Sequence, residues 1–235
     1  MFDLDPQSIV NRVQSRRQPP RVPTFRESVV RGTLGFTLVS LGGFAPWVLA
    51  GTWFYRHFGE AGLYAVCAVV FLGLSGLLLH RLVLGPGSLI RFYKIFGLAF
   101  VAYAVAWTLG WMTLRGKIGS LAGLLAGTAA MGLILAHGFA VRGQALKVIA
   151  VLFAMNAVGY FAGEWMHGAM LVLREGNATG VVLEKSVRMI LSKASWGLCY
   201  GLGFGAGIGF AFHACQTEAR RLLGKHGLDC QSPSG

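Results

Sequence analysis

Carboxylates are scarce in this chain: nine Asp and Glu in 235 residues, against 21 Lys and Arg. Charged residues of both signs make up 13%, about half the density of an ordinary soluble domain. With 54% hydrophobic residues, that shortage excludes an ordinary soluble enzyme, a disordered tail and a nucleic-acid-binding domain. Cysteine is also sparse, at four. Cys67 and Cys199 lie inside apolar runs, and Cys215 and Cys230 lie at or beyond the end of the last one. This is no disulfide framework; the four read as small packing residues or free thiols. Nucleotide and metal-protease motifs are missing as well: there is no Gly-x-x-x-x-Gly-Lys-Ser/Thr loop and no His-Glu-x-x-His. No βαβ pattern that would host a dinucleotide occurs either. Primary active transport by this chain alone is therefore not expected.

Long apolar runs take their place, at a mean hydropathy of +0.59. A helix needs about 20 mostly apolar residues to cross roughly 30 Å of hydrocarbon. Six segments qualify, near 33–55, 62–84, 93–114, 119–141, 147–172 and 194–214. None alternates with the period of two that a barrel strand needs, so helices are the spanning element. The expected fold is an all-α polytopic membrane protein with six transmembrane helices. Residues 1–28 form a basic leader, 29–215 the membrane domain and 216–235 a tail.

An even number of spans puts both termini on one side. That side carries 14 basic residues, including Arg12, Arg16, Arg17, Arg21, Arg26, Arg31, Arg81, Arg91 and Arg142. The other side carries seven: Arg56, Arg115, Lys117, Arg174, Lys185, Arg188 and Lys193. The positive-inside bias assigns both termini to the cytoplasm, and the expected location is a bacterial inner membrane. The leader reads either as a short helix on anionic headgroups, through Phe2, Leu4, Ile9 and Val13, or as a solvated segment. In the fifth loop, Leu183, Val187, Ile190 and Leu191 recur with helical spacing. They predict an amphipathic helix about 179–193 on the outer surface. Asn177-Ala178-Thr179 is a glycosylation sequon in that loop.

A threefold repeat runs through the spans. Each odd helix ends in a small residue and a tryptophan: Trp53, Trp111 and Trp165, read as interface anchors. Each even helix returns through glycines to one histidine: His80, His137 and His213. The Trp-to-His separations are 27, 26 and 48 residues, the last lengthened by an insertion in the fifth loop. The pattern predicts three helical hairpins of one orientation related by a pseudo-threefold axis. In layout alone this resembles the amide and urea channels and the mitochondrial carriers. The carriers' Pro-x-acidic-x-x-basic motif is absent here.

Helix 5 is the one span with polar residues in depth. Asn156, Tyr160, Glu164 and His167 fall at i, i+4, i+8 and i+11, along one helical face. Glu164 is the one acidic residue inside any expected span, and intramembrane carboxylates usually face an interior, a partner or water. The stripe predicts a polar path with Glu164 near its outer mouth; the structural alternative is Glu164 snorkelling to water or paired with Arg174 or Lys193. His80, His137 and His213, if they converge, would form a ligand set for a metal or haem. No cofactor is otherwise expected. Gly73-Leu74-Ser75-Gly76 resembles the nucleophile motif of rhomboid proteases, with His213 as the corresponding base, although the His-rich helix of that family's oxyanion site is missing. Glycines 201, 203, 205, 207 and 209 give helix 6 two small-residue faces for close packing. Pro46 predicts a kink in the outer third of helix 1.

The expected function is a channel or transporter for a small solute or ion. A non-catalytic subunit of a larger membrane complex is the alternative, and a histidine-ligated metal or haem enzyme is the third. Expected partners are the bilayer and either further copies or other membrane subunits, with no nucleic acid.

Overall fold

The computed structural model describes residues 2–15, 22–172 and 184–229, with side chains to residue 224. Every regular element among them is helical: α1 (Pro6–Gln14), α2 (Phe25–Leu79), α3 (Ser88–Leu114), α4 (Gly116–Gly138), α5 (Ala145–Val172), α6 (Lys185–Cys215) and α7 (Thr217–Asp229), with 3-10 turns at His80–Leu82 and Arg142–Gln144. Five helical stretches are long and apolar enough to cross a membrane.

The first of these stretches combines the two segments expected at 33–55 and 62–84. At 55 residues, α2 would extend about 80 Å if straight, more than twice the hydrocarbon thickness. It does not run straight. Gly59 has φ 68° and ψ −174°, a region essentially open to glycine alone. A second departure comes at Ala50, φ −134° and ψ 18°, four residues beyond Pro46, where the sequence placed the kink. The two arms of α2 touch. The Phe44 and Phe71 ring centroids are 4.8 Å apart, and Gly35 abuts the Leu79 side chain. Thr24 opens α2 with a reciprocal cap: its hydroxyl accepts from Glu27 N–H while the Glu27 carboxylate accepts from Thr24 N–H.

The remaining helices complete a single bundle. Glycines set the closest contacts, because only their lack of a side chain lets backbones meet. Gly32 of α2 meets Gly205 and Gly209 of α6, and Gly159 of α5 meets Gly203 on the other face of α6. Both small-residue faces read from the sequence are therefore occupied, one by α2 and one by α5. Gly132 of α4 abuts Ile149 of α5, Gly110 and Gly123 join α3 to α4, and Tyr93 of α3 lies over Gly76 of α2. The neighbours thus run from the first arm of α2 through α6, α5, α4 and α3 to the second arm of α2. Lys185–Cys215 is one unbroken helix. The surface helix expected about 179–193 lies outside the described residues up to 183, and from Lys185 its sequence forms the first turns of α6.

The bundle centre is filled by aromatic rings. Phe92, Phe96 and Phe100 recur every four residues on α3, and their rings stack at 4.8 and 5.6 Å. Phe212 of α6 stacks on Phe92 at 5.4 Å, and Phe71 on Phe100 at 5.8 Å. Phe36 packs edge-on to Phe204 at 5.1 Å.

Beneath the bundle, the leader folds rather than trailing. Asp5 caps α1 by accepting from Ser8 N–H at 3.0 Å. Hydrogen bonds from Ser8, its side chain first and then its backbone, hold the Asp5 carboxyl below the usual carboxylate range. The apolar side of α1, Ile9, Val10 and Val13, is buried together with Leu4, and the helix lies against α7. Of the two readings of the leader, neither foresaw an amphipathic helix spending its apolar face on its own bundle. Contact between α1 and α7 also places both described ends on one face, here the terminal face. Gln216 fastens this face: its Oε1 accepts from Leu84 N–H at 2.8 Å, and its Nε2 donates to the carbonyls of Leu82 and Phe212 at 2.8 and 2.7 Å. Arg220 of α7 donates to the Pro23 carbonyl, and burial pushes its guanidinium down to about 10.

Candidate functional site

Polar groups inside the bundle are distributed unevenly along its length. The inward side of α3 starts near the terminal face with Phe92, Phe96 and Phe100. About halfway along it changes to Tyr103, followed by Trp107. On α6, running the other way, the sequence of rings is Trp196, Tyr200, Phe204 and Phe212. Along α3 and α6, the rings nearer the terminal face are therefore phenylalanines, and tyrosine hydroxyls begin at mid-depth.

Asn156 of α5 sits at that boundary, fully buried. Its Nδ2 donates to the Tyr103 hydroxyl at 2.9 Å, and the Tyr200 hydroxyl lies 3.3 Å from the same oxygen. Three polar side chains from three helices thus meet in an apolar surround. The Asn156 Oδ1 has no hydrogen-bond partner among the described residues. A buried amide oxygen left unpaired costs about 1–3 kcal/mol.

From there the polar groups lead away from the terminal face. Tyr160, one turn further along α5, has its hydroxyl 3.2 Å from Ser120 Oγ of α4, and its ring meets Trp196 edge-on at 5.5 Å. Trp107 stacks on Trp111 at 6.1 Å and has a buried indole N–H without a partner among the described residues. Glu164 is exposed on the protein surface. Lys193, one of the two partners considered for it, instead donates to the Trp47 carbonyl at 3.0 Å and lies 4.8 Å above the Trp47 ring. Arg174 lies outside the described residues. His167 is half-buried, its Nδ1 2.6 Å from Ser192 Oγ, and Ser192 also donates to the His167 carbonyl at 3.0 Å. The stripe of helix 5 is therefore split: Asn156 faces inward, Tyr160 and His167 make contacts with α4 and α6, and Glu164 faces out.

The three repeat histidines make separate local contacts. His80 Nδ1 donates to the Gly76 carbonyl at 2.9 Å. His137 Nδ1 accepts from Arg142 at 3.4 Å. His213 Nδ1 is 3.3 Å from Ser28 Oγ, with its ring edge-on to Phe25. Among the described residues no three His, Cys, Asp or Glu side chains gather as a metal-ligand set. Ser75 is buried in the second arm of α2 with its hydroxyl unpaired among the described residues, whereas His213 is engaged with the first arm. Trp53, Trp111 and Trp165 are all exposed.

Tyr103, Tyr200, Ser120 and Gln216 do not stand out in the sequence. Tyr103 carries the one readable signal, as the continuation of the Phe92–Phe96–Phe100 face. No family model matches the chain, and neither a curated protein nor a solved structure does.

Proposed function

We propose that the chain is a six-crossing membrane transport protein for a small polar solute or ion, held closed by its aromatic centre. Its two α2 arms and α3 to α6 would each cross once, as three like-oriented hairpins, with both termini in the cytoplasm of a bacterial inner membrane. Two features support the hairpin repeat: the shared fold-back geometry of Gly59 and Arg115 (φ 50°, ψ 170°), and the helix order around the bundle.

The observation that carries the reading is the unpaired Asn156 Oδ1 at mid-depth, beside the Tyr103 and Tyr200 hydroxyls. Dry, permanently sealed cores do not keep a vacant acceptor without reason, because leucine would fill the same space at lower cost. A solute or proton carrier entering from the side opposite the termini would pass Tyr160 and Ser120 and would offer its donor to Asn156. Onward passage requires Phe100 and Phe204 to turn aside, a hydrophobic gate of the kind that dewets when closed.

The test is flux into proteoliposomes, measured for protons with a pH-sensitive dye and for small neutral solutes by light scattering. Wild type should exceed empty vesicles, Asn156→Leu should return to the empty-vesicle rate, and Phe204→Ala should raise the rate. Rates equal to empty vesicles for wild type and Phe204→Ala alike would refute transport.

One observation favours a second reading, an assembly subunit or homo-oligomer. The outer part of α2 presents Trp53, Tyr55, Phe58 and Tyr64, each more than half exposed, a run of aromatics suited to a partner helix. Stoichiometric partners or a defined oligomer after mild solubilisation would support it.

A further inference from the structure

On the terminal face, α1, the start of α2 and the turn between α2 and α3 enclose a cleft of about 450 Å³. That is within the range of small-molecule sites. Arg31, His80 and Arg81 line it together with Gly87 and Ser88, and Val13 of α1 adds an apolar side chain. Arg31 and Arg81 are both exposed and make no hydrogen bond or ion pair with any described residue. Arg91, one turn into α3, lies against Gly85 and Gly87 from behind and donates to the Pro86 carbonyl. Its charged neighbours are Arg12 and Asp3. Positive charge on this cleft therefore exceeds negative charge.

The start of α3 adds donors. Gly87 caps α3 in the left-handed conformation, φ 68°, and supplies no side-chain oxygen to the first turn. The N–H groups there are left for another acceptor, at the positive end of a 27-residue helix. Two guanidiniums, an imidazole and backbone N–H groups make a donor set whose chemistry suits the oxygens of a phosphate.

We propose that this cleft binds the headgroup of an anionic phospholipid, with the phosphate between Arg31 and Arg81. The cleft opens where basic residues between membrane helices meet the headgroup layer, the setting in which such pockets hold anionic lipid. Its wall exists because α1 is docked: Val13 contacts the turn at Gly85. The occupied site would tie leader, first arm and turn together. This rests on the membrane assignment and is independent of transport.

The purified full-length protein is titrated in detergent with phosphatidylglycerol or phosphatidylcholine, and bound lipid is counted by native mass spectrometry. Wild type should retain phosphatidylglycerol in preference to phosphatidylcholine. The Arg31→Gln/Arg81→Gln pair should weaken that retention about 30-fold, at about fivefold for each basic side chain. The pair Arg56→Gln/Lys117→Gln, on the opposite face, should leave it unchanged. Equal retention by wild type and the first pair, or equal loss in both pairs, overturns the site. Displacement by glycerol phosphate or inorganic phosphate at the lipid's own concentration overturns the lipid assignment in favour of a soluble phosphate. Should the double variant fail to fold, Arg81→Gln alone is read against a fivefold loss.

Discussion

Substituting Gly209 by alanine puts a methyl group where no side chain can yield. A Cβ there would lie 2.5 Å from the Ser28 carbonyl oxygen and 2.8 Å from Val29 Cα; one at Gly205 would lie 2.6 Å from the Gly32 oxygen. Non-bonded carbons need about 3.5–4.0 Å, so α2 and α6 would have to separate by about 1 Å. Every obstructing atom is backbone, which rules out relief by a rotamer change. Overpacking of this kind costs about 1–3 kcal/mol, offset by at most about 1 kcal/mol of helix preference for alanine. The net expectation is a loss of about 1–2 kcal/mol. Gly203→Ala should behave likewise, since its Cβ would lie 2.5 Å from the Met155 oxygen and 2.6 Å from Gly159 Cα. Gly97 and Gly168 have nothing within 4 Å of the corresponding position, so alanine there should be neutral or should stabilise by up to about 1 kcal/mol. Unfolding of the purified protein in mixed micelles with rising SDS, followed by tryptophan fluorescence, reads both sets. If Gly209→Ala proves as stable as Gly97→Ala, the backbone contact between α2 and α6 is refuted. Combining Gly205→Ala with Gly209→Ala should cost less than the sum, because one displacement relieves both.

Gln216→Ala should destabilise by about 1–3 kcal/mol, because it leaves Leu84 N–H and the Leu82 carbonyl buried without partners; hydrogen exchange at Leu84 should quicken first, and an unchanged rate there would refute the fastening role. At the other end of the terminal face, acidification should loosen α1. Since the folded Asp5 carboxyl titrates below its unfolded value, its contribution is complete above the unfolded range and is lost as pH falls through the folded value. Amide protection of α1 should fall over that window in wild type. Asp5→Asn, which keeps a cap but cannot titrate, should show no such step.

Much of the architecture is legible in the residues because hydrophobic length is a local property. The bilayer sets a fixed thickness, so apolar runs announce helices long enough to cross it without reference to neighbours. The small-residue faces of α6 are equally local, and both proved to be contact seams. Asn156 stood out for a related reason: a lone amide in an apolar run has few stable places outside an interior.

What remained hidden depended on pairing between distant segments. Nothing in the sequence near residue 103 or 200 says that two tyrosines from α3 and α6 will meet Asn156, because the contact spans 53 and 97 residues of chain and exists only once the helices are rotated about their axes. Gln216 is an unremarkable polar residue after an apolar run until Leu82 and Leu84 are brought beneath it. The leader could be read as amphipathic from Phe2, Leu4, Ile9 and Val13, but which apolar surface covers that face is a competition between lipid and protein that only tertiary packing settles. Rotation of each helix likewise sent Glu164 outward while Asn156, two turns below it, turned in. Sequence determines which stretches must leave water; the mutual rotation and docking of those stretches decide which polar groups meet.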